Sequence, residues 1–380
     1  MEKRLILKLQ EFINIDSHAF KKKEILRTHK FIKKYLDGIN FQWFEYPSDH
    51  PDLGPILFGK SKNWTEGRPE ITLTGHVDIV YPNTSKSIFK LTSDKIFGPG
   101  TADMKAGVLV ILETVKNLQK ANQLTNIKLL FTPEEEHFLT KHYADYGRIA
   151  KETKNLLVYE GEGSLEVKPD IKSKLLVTKR KGILAYNINA KGPGGHSGVI
   201  ANKDERHSTI EELITQSQKI LGLADYSQGT TINIGKFNGG EALNILAPEA
   251  QIVIDARLDN PREHKRISTA IDKIKPIDKH IQLTIENIVS GFPVEETKQN
   301  LKLFELAKRA GEEIGINIGA VHKGGASDMN RLISFNPKIA ALDYLGPTGG
   351  GEHTPNEFLY LDSFDPCVKL STKLIGKIQE

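Results

Sequence analysis

Apolar positions along the chain fall into short blocks with two different periods. Leu5, Ile6, Leu9, Phe12 and Ile13 recur at helical spacing over residues 4–15, and Ile25 to Tyr35 repeats the pattern, which predicts two amphipathic helices at the start. The run Ile71 to Thr74 follows Arg68-Pro69 and reads as a buried strand, with His76 and Asp78 at its end. After the Gly-Pro-Gly turn at 98–100, Asp103 begins a stretch in which Val108, Leu109, Ile111, Leu112, Val115 and Leu118 predict a helix to about Lys120. Two further apolar runs, Ile127 to Phe131 and Leu156 to Tyr159, each stop at acidic residues: Glu134, Glu135 and Glu136 after the first, Glu160 and Glu162 after the second. Strands that alternate with helices in this way predict an α/β sheet.

The rhythm then changes. A strand at Ile183 to Ala190 leads through a Gly-rich loop to a helix at Arg206 to Leu221. Strands follow at Thr231 to Phe237 and Gln251 to Leu258, then a helix opened by Pro261 and reaching Ile274, then a strand at Ile281 to Ile288. The order βαββαβ is the ferredoxin-like pattern. An amphipathic helix at Leu301 to Ile314 and a strand at Ile339 to Tyr344 restore the first rhythm. The pattern therefore predicts one domain made of residues 1–180 and 291–380, with a second, residues 181–290, inserted into it.

Composition narrows the class. A chain of 380 residues exceeds the size at which a single core usually stops growing. It is 38% hydrophobic and 26% charged, an ordinary globular balance, and the net charge of +4 is spread over interspersed signs, so nucleic acid is not implied. The one cysteine, Cys367, reads as a packing residue in a reducing compartment. The amino-terminal segment lacks the apolar region and cleavage site of a signal peptide, and no stretch approaches a membrane span. These features point to the cytoplasm.

In an open α/β sheet, ligands sit beyond the carboxyl ends of the strands. Those positions hold His76 and Asp78, Glu134 to Glu136, Glu160 and then His353 in the loop after the last strand, with Asp103 just past a turn. Histidines and carboxylates without a second cysteine suit a borderline divalent metal such as zinc. One dication among Asp103, Glu136 and Glu160 would leave a negative site. Two leave a positive one that a hydroxide neutralises, and a near-neutral buried site is much cheaper than a charged one. Neighbouring side chains in Glu135-Glu136 cannot both point the same way. We assign Glu136 to the metal and Glu135 to the general base that takes a proton from activated water and later delivers it to the leaving amine. Asp78 is spaced to orient the His76 imidazole. Glu162 competes with Glu160 for the ligand role, and Asp328 either caps a helix with Ser327 or meets substrate.

The set of motifs resembles the M20 metallopeptidases, a family that includes carboxypeptidase G2-like enzymes, succinyl-diaminopimelate desuccinylases, acetylornithine deacetylases and aminoacylases. The motifs are His76-Val-Asp78, Gly98-Pro-Gly-Thr-Ala-Asp103-Met-Lys-Ala-Gly107, Thr132-Pro-Glu-Glu135-Glu136, Tyr159-Glu160 and Glu352-His353-Thr-Pro-Asn-Glu357, and they span nearly the whole chain. The resemblance implies a zinc-peptidase-like catalytic domain, a mixed sheet flanked by helices, with the inserted domain as a lid and dimerisation module. It implies that Asp103 bridges two Zn²⁺ ions (Co²⁺ can substitute), with His76 and Glu160 completing one site and Glu136 and His353 the other. It selects Glu160 over Glu162. It matches Gly194-Gly-His196-Ser-Gly198 to a loop whose histidine, in dimers, helps hold the scissile carbonyl oxygen across the interface. Asn244 and Arg257 match positions that contact a substrate carboxylate.

Two departures stand out. Pro99 replaces the family's usual arginine, and Ile281 to Ser290 contains no arginine, which argues against a strict glutamate carboxypeptidase. The implied activity is hydrolysis of an amide bond in a small peptide or N-acyl amino acid by a homodimeric dizinc exopeptidase or deacylase. The alternatives are a catalytically inactive metal-binding scaffold of the same fold and a mononuclear enzyme.

Overall fold

The computed structural model describes residues 1–80, 89–137, 142–163, 170–199 and 202–380. By internal contacts the chain divides into two compact units, one of residues 1–179, 296–322 and 327–380, the other of residues 180–295 and 323–326.

The first unit is built on a six-stranded mixed sheet. Its order is Phe41–Tyr46, Ile56–Ser61, Ile127–Thr132, Ile71–His76, Asn155–Val158 and Ala340–Leu342. The last four strands run parallel, and the first two form an antiparallel hairpin along the Ile127–Thr132 edge. Every residue of Ile71–His76 and Ile127–Thr132 is buried. This explains why both read as mainly apolar runs, with Thr72, Thr74 and Lys128 as buried exceptions: a parallel strand covered on both faces has no solvent-facing side to alternate with. The path from Ile71–His76 out to Ile127–Thr132 and back across to Asn155–Val158 reverses direction around the first of these strands. That reversal opens a crevice at the strands' carboxyl ends.

Helix Lys105–Lys120 packs beneath this crevice, with Val108 to Leu112 consecutively buried. Its approach is close: a Cβ on Gly107 would lie 2.0 Å from the Tyr159 carbonyl oxygen. Only glycine lets the start of this helix rest on the strand end that carries Glu160. The two opening helices, Lys3–Ile13 and Lys22–Tyr35, join the same core and stack Phe12 on Phe31 at 4.6 Å between ring centres. Cys367 is buried in helix Phe364–Gln379. No helix among the described residues is long and apolar enough to cross a membrane.

The second unit has the element order βαββαβ, with an antiparallel sheet ordered Thr231–Gly239, Glu249–Leu258, Gly182–Lys191 and Gln282–Gly291. The alternation in Glu249–Leu258 buries Ala250, Ile252, Ile254, Ala256 and Leu258 against Leu213, Ile220, Ile267 and Ile271 from helices Thr209–Leu221 and Pro261–Asp272. The first helix starts later than its periodicity predicts, because Ser208 caps it by accepting the Glu211 N–H. In the second, Asn260 caps and Pro261 occupies the first turn.

Two expectations need correction. Helix Lys105–Lys120 starts two residues after Asp103, which stands in the preceding turn, joined to Met104 by a cis peptide bond. His353 does not follow directly from the last strand of the main sheet. It lies at the tip of a separate hairpin, Gly349–Gly350 paired with Phe358–Tyr360, in a small sheet with Lys95–Phe97.

Candidate active site

Three parallel strand ends and one small sheet deliver the candidate metal-ligating residues and Glu135, all within the first unit. His76 closes its strand. Glu135 and Glu136 lie in the turn after Ile127–Thr132, and Glu160 stands two residues after the end of Asn155–Val158. The small sheet brings the remaining two loops together: Phe358 pairs with Phe97, and the Gly98 N–H donates to the Glu357 carbonyl, so the turn carrying Asp103 is tied to the hairpin carrying His353.

Asp103 lies at the centre. Its Oδ1 is 2.8 Å from His76 Nε2, and its Oδ2 is 3.2 Å from His353 Nε2. Glu160 Oε2 lies 3.6 Å from His76 Nε2, and Glu136 Oε2 lies 3.0 Å from His353 Nε2. Two donor groups thus share one carboxylate, with a different oxygen facing each. Donors on a tetrahedral zinc, at bond lengths of about 2.0–2.1 Å, stand about 3.3–3.4 Å apart, close to these separations. His76, Glu135 and Glu160 also offer ligand atoms within 4.8 Å of one another.

Electrostatics supports a cation here. Burial, then the charge of Glu160, pushes Glu135 well above the ordinary carboxylate range. Burial pushes Glu160 up to about 8, and burial with the charge of Asp103 pushes Glu136 up to about 7. Burial opposes charge on His76, yet the carboxylates of Glu160, Asp103 and Asp78 raise it above its ordinary value. Hydrogen bonds to Asp103 and Glu136 hold His353 up at about 11. Two imidazoles hold Asp103 ionised, well below the usual carboxylate range, but cannot also neutralise Glu135, Glu136 and Glu160, which are driven toward their neutral forms. A divalent ion would supply the missing positive charge, and the nitrogen and carboxylate donors are of the type that suits zinc.

Asp78 is wholly buried and acts on two strand ends at once. Its Oδ1 accepts the Glu135 N–H at 3.2 Å and its Oδ2 accepts the Glu136 N–H at 3.1 Å. His76 Nδ1 lies 3.1 Å from the Asp78 carbonyl oxygen and 3.5 Å from its carboxylate. The imidazole is thus fixed mainly through the main chain of Asp78, while the carboxylate fixes the Glu135–Glu136 turn. Glu162 is turned elsewhere, toward Lys174 Nζ at 3.3 Å.

Several supporting residues went unassigned from sequence. The Glu357 carboxylate accepts the N–H groups of Gly100, Ala102 and Asp103 at 2.8, 2.7 and 2.9 Å, fastening the Asp103 turn from below. Asp328 follows Ser327, which caps helix Asp328–Phe335 in a capping box with Asn330. The Asp328 carboxylate accepts Thr132 Oγ1–H at 2.5 Å. Buried Arg331 donates to the Tyr146 hydroxyl at 2.7 Å and to the Glu134 carbonyl at 3.3 Å, bracing the glutamate turn from behind. A charged residue four positions after His353 was the available sign of Glu357; Arg331 has no local motif.

The other candidates belong to the second unit. His196 and Asn244 meet across a short ladder: His196 pairs with Ile245, and the Ser197 N–H donates to the Asn244 carbonyl at 2.9 Å. The Gly198 N–H donates to His196 Nδ1 at 3.0 Å. Arg257 stands on Glu249–Leu258, its Nε 3.0 Å from Asp255.

The sequence profile described as Peptidase family M20/M25/M40 matches residues 72–377. The chain belongs to this family. M20 membership makes it a metal-dependent hydrolase. It is similar to acetylornithine deacetylase of Buchnera aphidicola, 25% identical over 91% of this chain and 89% of the relative. Among solved structures it is similar to a tripeptidase of Staphylococcus aureus, with a TM-score of 0.74, 22% identity and coverage of 100% of this chain and 99% of the other. It also shares its fold with a dinuclear metal-binding M20 peptidase of Bacillus subtilis, at a TM-score of 0.65, 16% identity and coverage of 99% and 98%.

Proposed function

We propose that this M20 chain is a dizinc exopeptidase or N-acyl amino acid deacylase of the cytoplasm, cleaving the amide bond of a small carboxylate-bearing substrate. The observation that carries the reading is the division of the Asp103 carboxylate, Oδ1 toward His76 and Oδ2 toward His353. His76, Asp103 and Glu160 would hold one ion, and His353, Asp103 and Glu136 the other. Such ions, when bound, supply Lewis acidity and lower the pKa of water toward about 7.

The remaining chemistry falls to side chains. Glu135, fixed through its N–H on Asp78, receives the proton of the attacking water on a carboxylate oxygen. It then passes that proton to the leaving nitrogen as the C–N bond breaks, so the acid and the amine separate with the base restored. Because the Gly198 N–H occupies His196 Nδ1, the neutral ring carries its proton on Nε2. That tautomer suits donation to the scissile carbonyl oxygen, across a homodimer, as negative charge develops there. Asn244 and Arg257 receive the substrate carboxylate, which must compete with Asp255 for the guanidinium. The edge strand Thr231–Gly239 and the following loop expose the apolar side chains of Phe237 and Leu243, and an unpaired edge of this kind suits pairing with a second copy.

One observation favours a second reading: Glu135 itself lies within ligand range of His76 and Glu160. Glu135→Gln separates the two. As base, its loss lowers kcat by about 10²–10⁴-fold on dipeptide and N-acyl amino acid substrates while zinc uptake stays unchanged. A drop in zinc uptake would make Glu135 a ligand, and near-normal turnover would remove it from the reaction.

A further inference from the structure

The second unit holds a cluster of metal-ligating side chains with no part in the reaction above. His207, Asp278 and His280 offer one donor atom each, all within 4.8 Å of one another. The two imidazole rings lie 4.3 Å apart between centres, inclined by 46°, and His207 Nδ1 is 2.7 Å from Asp278 Oδ2. They face an open recess of 740 Å³.

Buried polar groups build this cluster. His207 immediately precedes Ser208, the cap of helix Thr209–Leu221, and Asp278 and His280 lie in the loop before the strand Gln282–Gly291. Glu212, on that helix and buried, accepts the N–H groups of Ile277 and Asp278 at 3.0 and 3.1 Å. Buried Gln216 donates to the Lys275 carbonyl at 2.9 Å and to Glu212 at 2.8 Å. The loop is thereby clamped to the helix on both sides of Pro276. Asp278 Oδ1 accepts the His280 N–H at 2.9 Å, which leaves Oδ2 directed at His207. The nearby acid Glu211 is matched by Arg206, whose Nε lies 3.0 Å from each of its oxygens, so Asp278 supplies the cluster's own negative charge.

We propose that His207, Asp278 and His280 form a separate divalent-metal site of the imidazole–imidazole–carboxylate type, selective for zinc, nickel or copper(II) over calcium and magnesium. Two nitrogen donors exclude the hard cations, which require oxygen shells. Donors on a tetrahedral ion stand about 3.3–3.4 Å apart, a spacing these side chains reach by small rotations from their present separations. Solvent in the recess completes the coordination. The proposal is independent of what the candidate active site holds.

The test is a Zn²⁺ titration of the chelator-treated, full-length protein against a fluorescent free-zinc indicator. It compares the unsubstituted chain, His207→Ala/His280→Ala and His76→Ala/His353→Ala. The first double variant is expected to take up one zinc equivalent per chain less, with peptidase and deacylase rates unchanged; the second retains that equivalent. Copper(II) bound at the site should show nitrogen hyperfine splitting in its electron paramagnetic resonance spectrum that disappears in His207→Ala/His280→Ala. His280→Gln, at an exposed position, repeats the titration without risk to folding and should lose the same equivalent. Superimposable zinc isotherms for the unsubstituted chain, His207→Ala/His280→Ala and His280→Gln would overturn the proposal.

Discussion

Replacing Asp78 tests how the strand ends are locked together. In Asp78→Asn the remaining oxygen can accept only one of the Glu135 and Glu136 N–H groups, and the new amide NH₂ faces the other. The site is wholly buried, so one stranded donor costs about 1–3 kcal/mol. Asp78→Ala strands both donors and leaves a small void, for about 2–5 kcal/mol, a large share of the roughly 5–15 kcal/mol available to a folded domain. His76 keeps its closer partner, the residue-78 carbonyl, in both variants. The imidazole should stay oriented while the glutamate turn loosens. We therefore expect zinc affinity to fall by about 10–100-fold, with kcat falling at least as far because Glu135 is displaced. Guanidinium unfolding followed by circular dichroism gives the stability series, and zinc competition with a chelating dye gives the affinity. If Asp78→Ala loses less than about 0.5 kcal/mol, as at an ordinary surface position, the carboxylate does not hold the turn and the reasoning fails.

Glu357→Gln should displace the Asp103 turn, because an amide cannot accept all three of its N–H groups; we expect a loss of about 1–3 kcal/mol in stability and weaker zinc binding, read by thermal denaturation with and without the metal. Arg331→Met leaves Glu134 and Asp328 buried without their cation and should cost about 3–5 kcal/mol, measured by urea unfolding. Burial holds His264, stacked on Phe292, down to about 4 from an ordinary 6.5, so the folded second unit binds a proton less readily than the unfolded chain. Its contribution is complete above pH 6.5 and drains away as the pH falls toward 4, by at most about 3 kcal/mol. In His264→Leu the stability of the protein should be flatter over that interval, and an unchanged slope would assign the acid sensitivity elsewhere.

Much of the architecture was legible because burial writes itself locally. Ile71–His76 and Ile127–Thr132 are covered on both faces and read as apolar runs; Glu249–Leu258 is covered on one and alternates. The hairpin Phe41–Tyr46 and Ile56–Ser61 was passed over, although its aromatic run bounded by Pro47, Pro51 and Pro55 was a usable signal. Ser173–Arg180 and Asn317–Lys323 form a two-stranded sheet of their own, and a short ladder whose second strand is half-exposed leaves a weak imprint.

The sequence by itself determined which residue types stand at the strand ends, since a ligand-type side chain must follow each apolar run at the mouth of a parallel sheet. It also determined the βαββαβ order of the second unit, through periods that depend only on neighbouring positions. Tertiary structure decided the rest. The shared position of Asp103 depends on the ladder between Phe97 and Phe358, more than 250 residues apart in the chain, and on the bare face of Gly107 against Tyr159. Glu160 and Glu162 are indistinguishable in composition, and only the fold turns one toward His76 and the other toward Lys174. Periodicity records how much of a side chain is covered. Which partner a buried charge meets depends on chain segments that converge only when the sheet is assembled.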